Sequence, residues 1–340
     1  DGGNPFSGYI HSLEFYDKAF SAADVRAAYE EKSDTDDKIS FDSELAIKTR
    51  VLSPSLVEVT VVDEKGDKVE SGLLTYEYGV FSTKPAPPCE FSEGTNNSSL
   101  LLSTDGKAEQ TFLVRVTDDN KTFEKLLSAE INIPEGMFTH FADDFSGNVH
   151  NWDGVNLPKK GTVSVENGML KLTSAGTNFN FNKAENGVLQ YKEVKGDFIV
   201  QGQIAALAGQ KEKESPSYNE GGILVLDDSD AQAQTILQIG AFPSYNCGNM
   251  LTVVAPRMGR PQFPSANGWD YHPYVQIERI GDMFYIRTSA DGKTWVDKAG
   301  SPVELKHLAD KTLKVGCYHT TYSDNEGWAA FDDFNLWQKK

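Results

Sequence analysis

The sequence predicts an all-β protein built mainly from two sandwiches. Three observations indicate this class. Segments of strand length with alternating or β-branched residues recur along the chain, hairpin-forming dipeptides such as Asn167-Gly168 separate them, and no long helical pattern interrupts the C-terminal part. The chain has 340 residues, of which 39% are hydrophobic and 24% charged. This length and composition suit roughly two or three globular domains.

Residues 1–32 combine one strand pattern with one short helix pattern. Residues 9–16 are strand-like, and Ser21-Ala-Ala-Asp24 has the spacing of a helix capping box ahead of a short apolar face. The phrase SLEFYDKAFSAADVRAAY resembles the last strand and closing helix of a laminin-G-like domain. Because one strand and one helix cannot bury a core alone, we expect either that the rest of such a sandwich precedes Asp1 or that this piece packs on the next domain.

Residues 33–136 are predicted to form an immunoglobulin-like or fibronectin-like sandwich. The charged segment EEKSDTDDK indicates a linker at its start. Turn-forming segments DEKGD and DDNKT lie among its strands. The strand patterns cover 56–62, 73–81, 110–118 and 130–134. The segment has one cysteine and no tryptophan, so it lacks the Cys–Trp–Cys pattern of immunoglobulin domains, and the subfamily stays open.

Residues 137–340 are predicted to form a jelly roll of two antiparallel sheets, because many strands follow one another without intervening helices. The strand patterns cover 161–174, 196–207, 221–228, 233–242, 249–257, 274–296, 313–321 and 328–337. The unit opens on FADDFSGNVHNW and closes on FDDFNLW. We therefore expect the first and last strands to pair, with core packing from Phe141, Phe145, Phe331 and Phe334.

Several phrases of this unit resemble, in order, the concanavalin A-like jelly-roll domains that occur as accessory modules of secreted bacterial glycosidases. They are DDFSG…NW, VENGMLKL, KGDFIVQGQI, YNEGGILVLDD, YVQIERIGDMFYIRTSADGKTWV and VGCYHTT…FDDFNLW. The resemblance implies a secreted, periplasmic or surface-attached bacterial protein that uses polysaccharides.

Charge and cysteine content limit the classes of molecule and metal that the protein is expected to bind. A formal net charge of -18 argues against nucleic acid and against anionic membranes, and no apolar run approaches the roughly 18–20 residues that span a bilayer. A neutral polysaccharide or oligosaccharide fits better, although solubility alone also explains the acidity. Cys89, Cys247 and Cys317 have no zinc-site spacing. Cys247 and Cys317 either form a disulfide or remain free thiols.

Loops of the predicted jelly roll are rich in aromatic and amide side chains. Sugar sites combine flat aromatic rings with fixed polar groups, so these loops are predicted to form a carbohydrate-binding rim. Its residues are Tyr218, Asn219, Glu220, Tyr245, Trp269, Asp270, Tyr271, His272, Tyr322 and Asn325. The alternative is that these aromatic residues cap the ends of the sandwich. Trp152 and Trp295 are expected to be structural.

The repeated aspartate pairs predict a metal site. If the first and last strands pair, Asp143, Asp144, Asp332 and Asp333 come together, and close carboxylates repel unless a cation neutralises them. Calcium prefers such oxygen ligands, and the resemblance implies a structural calcium ion near the termini. The alternative is that the aspartates accept hydrogen bonds from backbone amides at strand ends.

No catalytic residue is predicted. The third unit lacks the nucleophile elbow, the zinc-binding helix and the E-x-D-x-x-E strand of glucanases that share the sandwich fold. Glu278 is expected to pair with an arginine. The favoured function is non-catalytic polysaccharide binding. Two alternatives stay open: glycoside hydrolysis by an unrecognised carboxylate pair, and adhesion or scaffolding through a protein partner.

Overall fold

Strands make up nearly all of the regular structure. The computed structural model describes residues 44–69, 74–82, 91–103, 109–118, 123–132, 136–147, 151–177, 187–208, 219–243, 247–265, 271–322, 324 and 326–340. Within these residues the only helical element is a 3-10 turn at Lys306–Leu308, and none could span a bilayer as a helix. The predicted all-β class is confirmed. The strand and helix predicted within 1–32 lie outside the described residues.

Six strands lie in the region predicted as the first sandwich: β1 (Ala46–Ser53), β2 (Leu56–Val62), β3 (Leu74–Ser82), β4 (Ser99–Ser103), β5 (Glu109–Asp118) and β6 (Glu124–Asn132). The later strands are β7 (Phe138–Asp143), β8 (Gly154–Asn156), β9 (Thr162–Glu166), β10 (Met169–Ser174), β11 (Val188–Lys195), β12 (Phe198–Leu207), β13 (Glu220–Asp227), β14 (Thr235–Ala241), β15 (Asn249–Val254), β16 (Gln262–Pro264), β17 (Tyr274–Ile280), β18 (Met283–Ser289), β19 (Thr294–Asp297), β20 (Val303–Glu304), β21 (Thr312–Thr320) and β22 (Gly327–Lys339). The domain boundaries remain sequence predictions.

Two antiparallel sheets of the C-terminal region face each other across one hydrophobic core. The seven-stranded sheet has the order β16-β15-β14-β13-β21-β11-β8, and the opposing sheet contains β19-β18-β17-β12-β22-β10-β9. Alternation along β13 sends Ile223 and Val225 into this core, whereas Leu224 and Leu226 lie on the outer side. The predicted hairpin turn between β9 and β10 has positive φ at Asn167, 55°, and Gly168, 74°, as a type I′ turn requires.

The two ends of the predicted jelly roll are neighbouring strands. β7 pairs antiparallel with β22, and Phe334 lies opposite Asp143. Phe145, Phe331 and Phe334 are at most 1% exposed, and the half-buried Phe141 packs against the same core. The predicted terminal packing is therefore confirmed. It accounts for the phenylalanines of the repeated phrase.

One sheet runs through both predicted sandwiches. Its order begins β1-β2-β4-β19, and the junction is the pairing of Leu101 and Leu102 of β4 with Trp295 and Thr294 of β19. β3, β5 and β6 form a separate three-stranded sheet. The twelve-stranded sheet must curl strongly, because four strands separate β1 from β17 in its order, yet Arg50 reaches Glu278 at 3.3 Å.

A second, smaller core lies inside this curl. Leu52 and Leu56 of the N-terminal hairpin pack with Ile199, Trp295 and Trp337 of the C-terminal strands. The predicted structural role of Trp295 is thus confirmed, because its side chain is only 3% exposed.

Cys247 and Cys317 are free thiols, and Cys89 lies outside the described residues.

Candidate functional site

The described residues of the predicted rim flank strand ends at one end of the jelly roll. Glu220, the first residue of β13, pairs with Thr320 at the end of β21. Gly221 pairs with Ala241 at the end of β14, which in turn pairs with Asn249 at the start of β15. The topology therefore gathers these loop connections at one end. The rim residues outside the described part of the chain are Tyr218, Tyr245, Trp269, Asp270 and Asn325.

Glu220 belongs to a buried polar cluster on the outer side of the seven-stranded sheet. Its Oε1 accepts hydrogen bonds from Tyr318 Oη at 2.7 Å and from Gln238 Nε2 at 3.1 Å. Burial, together with the charge of Glu220, raises the pKa of the Tyr318 phenol well above its usual range, so Tyr318 stays a neutral donor. All three side chains are at most 1% exposed. The cluster therefore offers no open surface to a sugar.

Asn219 and His319 form a second buried network at the same end. Asn219 Nδ2 donates to the carbonyl of Ala208 at 3.1 Å, which leaves Oδ1 to accept from His319 Nε2 at 2.7 Å. His319 Nδ1 then accepts from Ser174 Oγ at 2.8 Å. A serine, a histidine and an amide in one hydrogen-bonded series also occur in nucleophilic triads. Here all three side chains are 0% exposed, so no substrate reaches the serine hydroxyl. His319 is therefore a buried hydrogen-bonding group between Ser174 and Asn219.

The buried imidazole predicts a pH-dependent stability. Burial lowers the pKa of His319 from 6.5 to about 3. Between pH 6.5 and pH 3, His319 binds a proton in the unfolded chain but not in the folded chain. The free energy of unfolding is therefore unaffected by this group above pH 6.5 and falls as the pH drops toward 3. We expect the free energy of unfolding to fall by about 2 kcal/mol between pH 7 and pH 5 from this group.

Denaturant unfolding at the two pH values measures this loss. In the His319→Gln variant the pH dependence should be shallower by that amount, and the exposed His307→Gln variant serves as the matched control. Equal pH dependence in the parent chain and His319→Gln would contradict the assignment.

The remaining described rim residues differ in accessibility. Tyr271 is 8% exposed and packs in the main core, whereas Tyr322 is 42% exposed. His272 is half-buried, and its backbone is fixed by Asn249, whose Oδ1 accepts from the His272 N–H at 2.8 Å. Among the described rim residues, sugar could therefore reach Tyr322 and part of His272. Sugar binding at the rim stays a prediction.

The four predicted calcium ligands already have hydrogen-bond partners. Asp143 accepts from the Phe145 N–H at 2.9 Å and from Trp152 Nε1 at 2.8 Å. Asp144 accepts from the backbone and hydroxyl of Ser146, which lower the pKa of its carboxyl. Within the described residues no group of three or more His, Cys, Asp or Glu has a metal-binding arrangement. Calcium binding stays a prediction, and Trp152 has the expected structural role.

A different polar surface lies on the outer side of the twelve-stranded sheet. Gln203 of β12 pairs with Tyr274 of β17 on one side and with Asp332 of β22 on the other. The register between β12 and β22 shifts beyond this pair, and Asp333 has a positive φ of 49°. This β-bulge places both aspartates on the outer side, since Phe331 before them and Phe334 after them point into the core. We call Tyr274, Gln201, Gln203, Asp332 and Asp333 the Tyr274 face.

A chain of hydrogen bonds orients the amide of Gln201. Arg287 Nη1 donates to Gln276 Oε1 at 3.2 Å, and Gln276 Nε2 donates to Gln201 Oε1 at 3.1 Å. Because an arginine only donates, the direction of every bond in this chain is fixed. Gln201 therefore presents its Nε2 donors away from Gln276. Gln203, in the next row, makes no side-chain hydrogen bond with the described residues.

The aspartates of this face keep acceptor capacity. Asp332 Oδ1 accepts the Asp333 N–H at 2.8 Å, and Asp333 Oδ1 accepts Asn335 Nδ2 at 2.9 Å. The second oxygen of each carboxylate accepts no hydrogen bond from the described residues. Partial burial raises the pKa of Asp333, and the neighbouring Asp332 adds to this shift.

Tyr274 is held in place beside these carboxylates. A Cβ at Gly292 would lie only 3.0 Å from Tyr274 Cε1, so the tyrosine ring lies directly over this glycine. Burial raises the pKa of the Tyr274 phenol, and the charges of Asp333, Asp332 and Asp291 add to it, which keeps Tyr274 a hydrogen-bond donor. The resulting face has fixed donors and acceptors on three adjacent strands.

The sequence carries one signal for this face, the phrase FDDF. Two core phenylalanines three positions apart break the alternation of a regular strand, so the two aspartates between them indicate a bulge. The metal-site prediction rests on the charges of these aspartates and does not take the bulge into account.

The comparisons with known proteins give distant matches only. No protein-family model and no curated protein matches the chain. Solved structures similar to it include a non-specific endo-β-1,3(4)-glucanase of family GH16, with 10% identity, a TM-score of 0.40 and coverage of 62% of this chain and 94% of that one. Another is a GH43 glycoside hydrolase engineered to display endo-xylanase and exo-arabinofuranosidase activity, with 11% identity, a TM-score of 0.37 and coverage of 88% and 74%. Both neighbours are glycoside hydrolases, but at these scores they carry no argument about this chain.

Proposed function

We propose that this protein binds a polysaccharide through the Tyr274 face without cleaving it. The observation that carries the proposal is a set of polar groups on adjacent strands: the oriented amide of Gln201, the amide of Gln203, the phenol of Tyr274, and the carboxylates of Asp332 and Asp333. Sugar hydroxyls both donate and accept hydrogen bonds, so such a mixed set suits them. Exposed polar contacts give little net energy, and we expect a dissociation constant for a simple sugar on the order of 0.1–1 mM.

Hydrolysis is the second candidate. The raised pKa of Asp333 beside a second carboxylate is the feature that favours it. Against it, Asp332 and Asp333 are successive residues at one bulge, whereas a glycosidase places its two carboxylates on opposite sides of the scissile bond. The geometry therefore favours binding.

Binding to a panel of soluble polysaccharides should separate the Tyr274 face from the predicted rim. We expect Tyr274→Phe and Asp333→Asn each to weaken binding about 5- to 10-fold, because the first removes a hydroxyl and the second replaces a charged acceptor oxygen by an amide donor. Tyr322→Phe removes the same hydroxyl from an exposed rim tyrosine and is the matched control. Isothermal titration calorimetry gives the affinities, and a reducing-sugar assay in parallel detects cleavage.

Two outcomes would redirect the proposal, and a third measurement tests the calcium prediction. Loss of binding in Trp269→Ala, with Tyr274→Phe unchanged, would place the sugar on the rim. Release of reducing ends that disappears in Asp333→Asn would favour hydrolysis. An unchanged melting temperature after chelation would overturn the calcium prediction.

A further inference from the structure

A separate cavity on the N-terminal hairpin carries an unusual local charge. It has a volume of about 250 Å³, and the β1–β2 hairpin and the turn after it form its walls. Its charged residues are Lys48, Arg50, Lys68 and Glu58, so it is locally cationic in a chain whose formal net charge is -18.

The acid of this cavity is already neutralised. Glu58 Oε2 pairs with Arg50 Nε at 2.8 Å, and Arg50 lies directly opposite Glu58 in the strand register. The side chains of Lys48 and Lys68 form no ion pair or hydrogen bond with the described residues. Both lysines are exposed and line the same cavity, so an anion in it could pair with their ammonium groups.

The guanidinium of Arg50 adds a further donor. Arg50 uses Nε for Glu58 and Nη1 for Glu278, which leaves Nη2 without a partner among the described residues. The Thr60 hydroxyl, opposite Lys48, donates instead to Ser99 Oγ at 2.8 Å, because Ser99 donates to Glu58. Ammonium and guanidinium groups around a small cavity suit the oxygens of a single carboxylate or sulfate group.

The cavity is also connected to the Tyr274 face. Arg50 Nη1 donates to Glu278 Oε1 at 3.3 Å, and Glu278 Oε2 accepts from Arg287 Nη1 at 2.8 Å. Arg287 continues through Gln276 to Gln201, as described above. An unbroken series of side-chain hydrogen bonds therefore joins the two places.

We propose that this cavity binds an anionic substituent of a saccharide, either the carboxylate of a uronic acid or a sulfate ester. The saccharide part rests on the proposed function, whereas anion binding itself does not. The proposed ligand is then an acidic polysaccharide whose charged group lies at Lys48 and Lys68.

The test uses the full chain and three probes: inorganic sulfate, glucuronate and neutral glucose, at constant ionic strength set with chloride. We expect saturable binding of sulfate, of glucuronate or of both by calorimetry, and none of glucose at this cavity. The Lys48→Met/Lys68→Met variant should bind the anions at least tenfold more weakly. Lys159→Met/Lys160→Met removes the same charge from two exposed lysines elsewhere and should leave binding unchanged.

Each result decides the proposal. Binding of one anion but not the other supports it and names the substituent. An equal loss of anion affinity in both double variants would show that the overall charge of the protein, and not this cavity, governs binding, and would overturn the proposal. The absence of saturable anion binding by the parent chain would overturn it as well. If neutral polysaccharides still bind in that last case and respond to Tyr274→Phe, the proposed function stands while the anion site fails.

Discussion

Replacing Phe334 by alanine should lower the free energy of unfolding by about 3–5 kcal/mol, the usual cost of removing a buried aromatic ring. Phe334 is fully buried, with its ring centroid 4.7 Å from that of Trp152 and 6.0 Å from that of Phe141. It lies on β22, which pairs with β12, β10 and β7. A cavity there cannot collapse easily, because strands on both sides hold the backbone.

Chemical denaturation measures this loss. Leu126→Ala is the control, because Leu126 is 58% exposed and its truncation should change stability by no more than about 0.5 kcal/mol. A loss below about 1 kcal/mol for Phe334→Ala would show that the terminal aromatic cluster does not clamp the sandwich.

Replacing Arg287 by methionine should cost a similar amount, about 3–5 kcal/mol, because it breaks a buried ion pair from one side. Arg287 and Glu278 are each 3% exposed, and their charged groups lie 2.8 Å apart. Without Arg287, the buried carboxylate keeps only Arg50, at the longer distance of 3.3 Å. The desolvation cost of Glu278 is then poorly offset.

A double-mutant cycle gives the coupling between the two residues. In Glu278→Leu/Arg287→Met no buried charge of the pair remains, so this variant should be more stable than Arg287→Met alone. The exposed pair of Lys171 and Glu166, 2.9 Å apart, is the control, and Lys171→Met should cost less than about 1 kcal/mol. Additive effects at Glu278 and Arg287 would contradict the coupling.

Local patterns predicted many strands because side-chain alternation is a property of a single segment. The pattern LVEVTVV corresponds to β2, Leu56–Val62, in full. β1 was not predicted because Lys48 and Arg50 make its central part polar: Lys48 is exposed, and Arg50 is half-buried beside Glu58 and Glu278. β4 was missed as well, since a five-residue strand has too little sequence for alternation to show.

Apart from the confirmed pairing of β7 with β22, pairing between distant segments could not be predicted from the sequence. Alternation tells which side of a strand is apolar, but it does not tell which strand lies beside it. The contact of Leu101 with Trp295 therefore could not be foreseen. The pairing of Glu278 with arginine was confirmed, but its burial was not expected, because burial depends on the N-terminal hairpin folding over it.

The rim shows a similar limit for binding residues. Aromatic and amide side chains are common both at sugar sites and at sandwich ends, and composition does not distinguish the two. Asn219, Glu220 and Tyr271 are buried within internal networks or the core. The Tyr274 face, by contrast, contains glutamines and aspartates that no sequence motif singles out. The bulge in β22 brings both aspartates to the same side of the sheet.

The ladder between β4 and β19 means that each predicted domain covers an open sheet edge of the other. A chain divided between the two predicted domains would leave unpaired amide and carbonyl groups along both strands, beside the apolar side chains of Leu101 and Trp295. Unprotected edges of this kind recruit foreign strands and lead to aggregation. Transfer of either predicted domain to another protein during evolution would therefore require another segment to pair with the exposed strand edge.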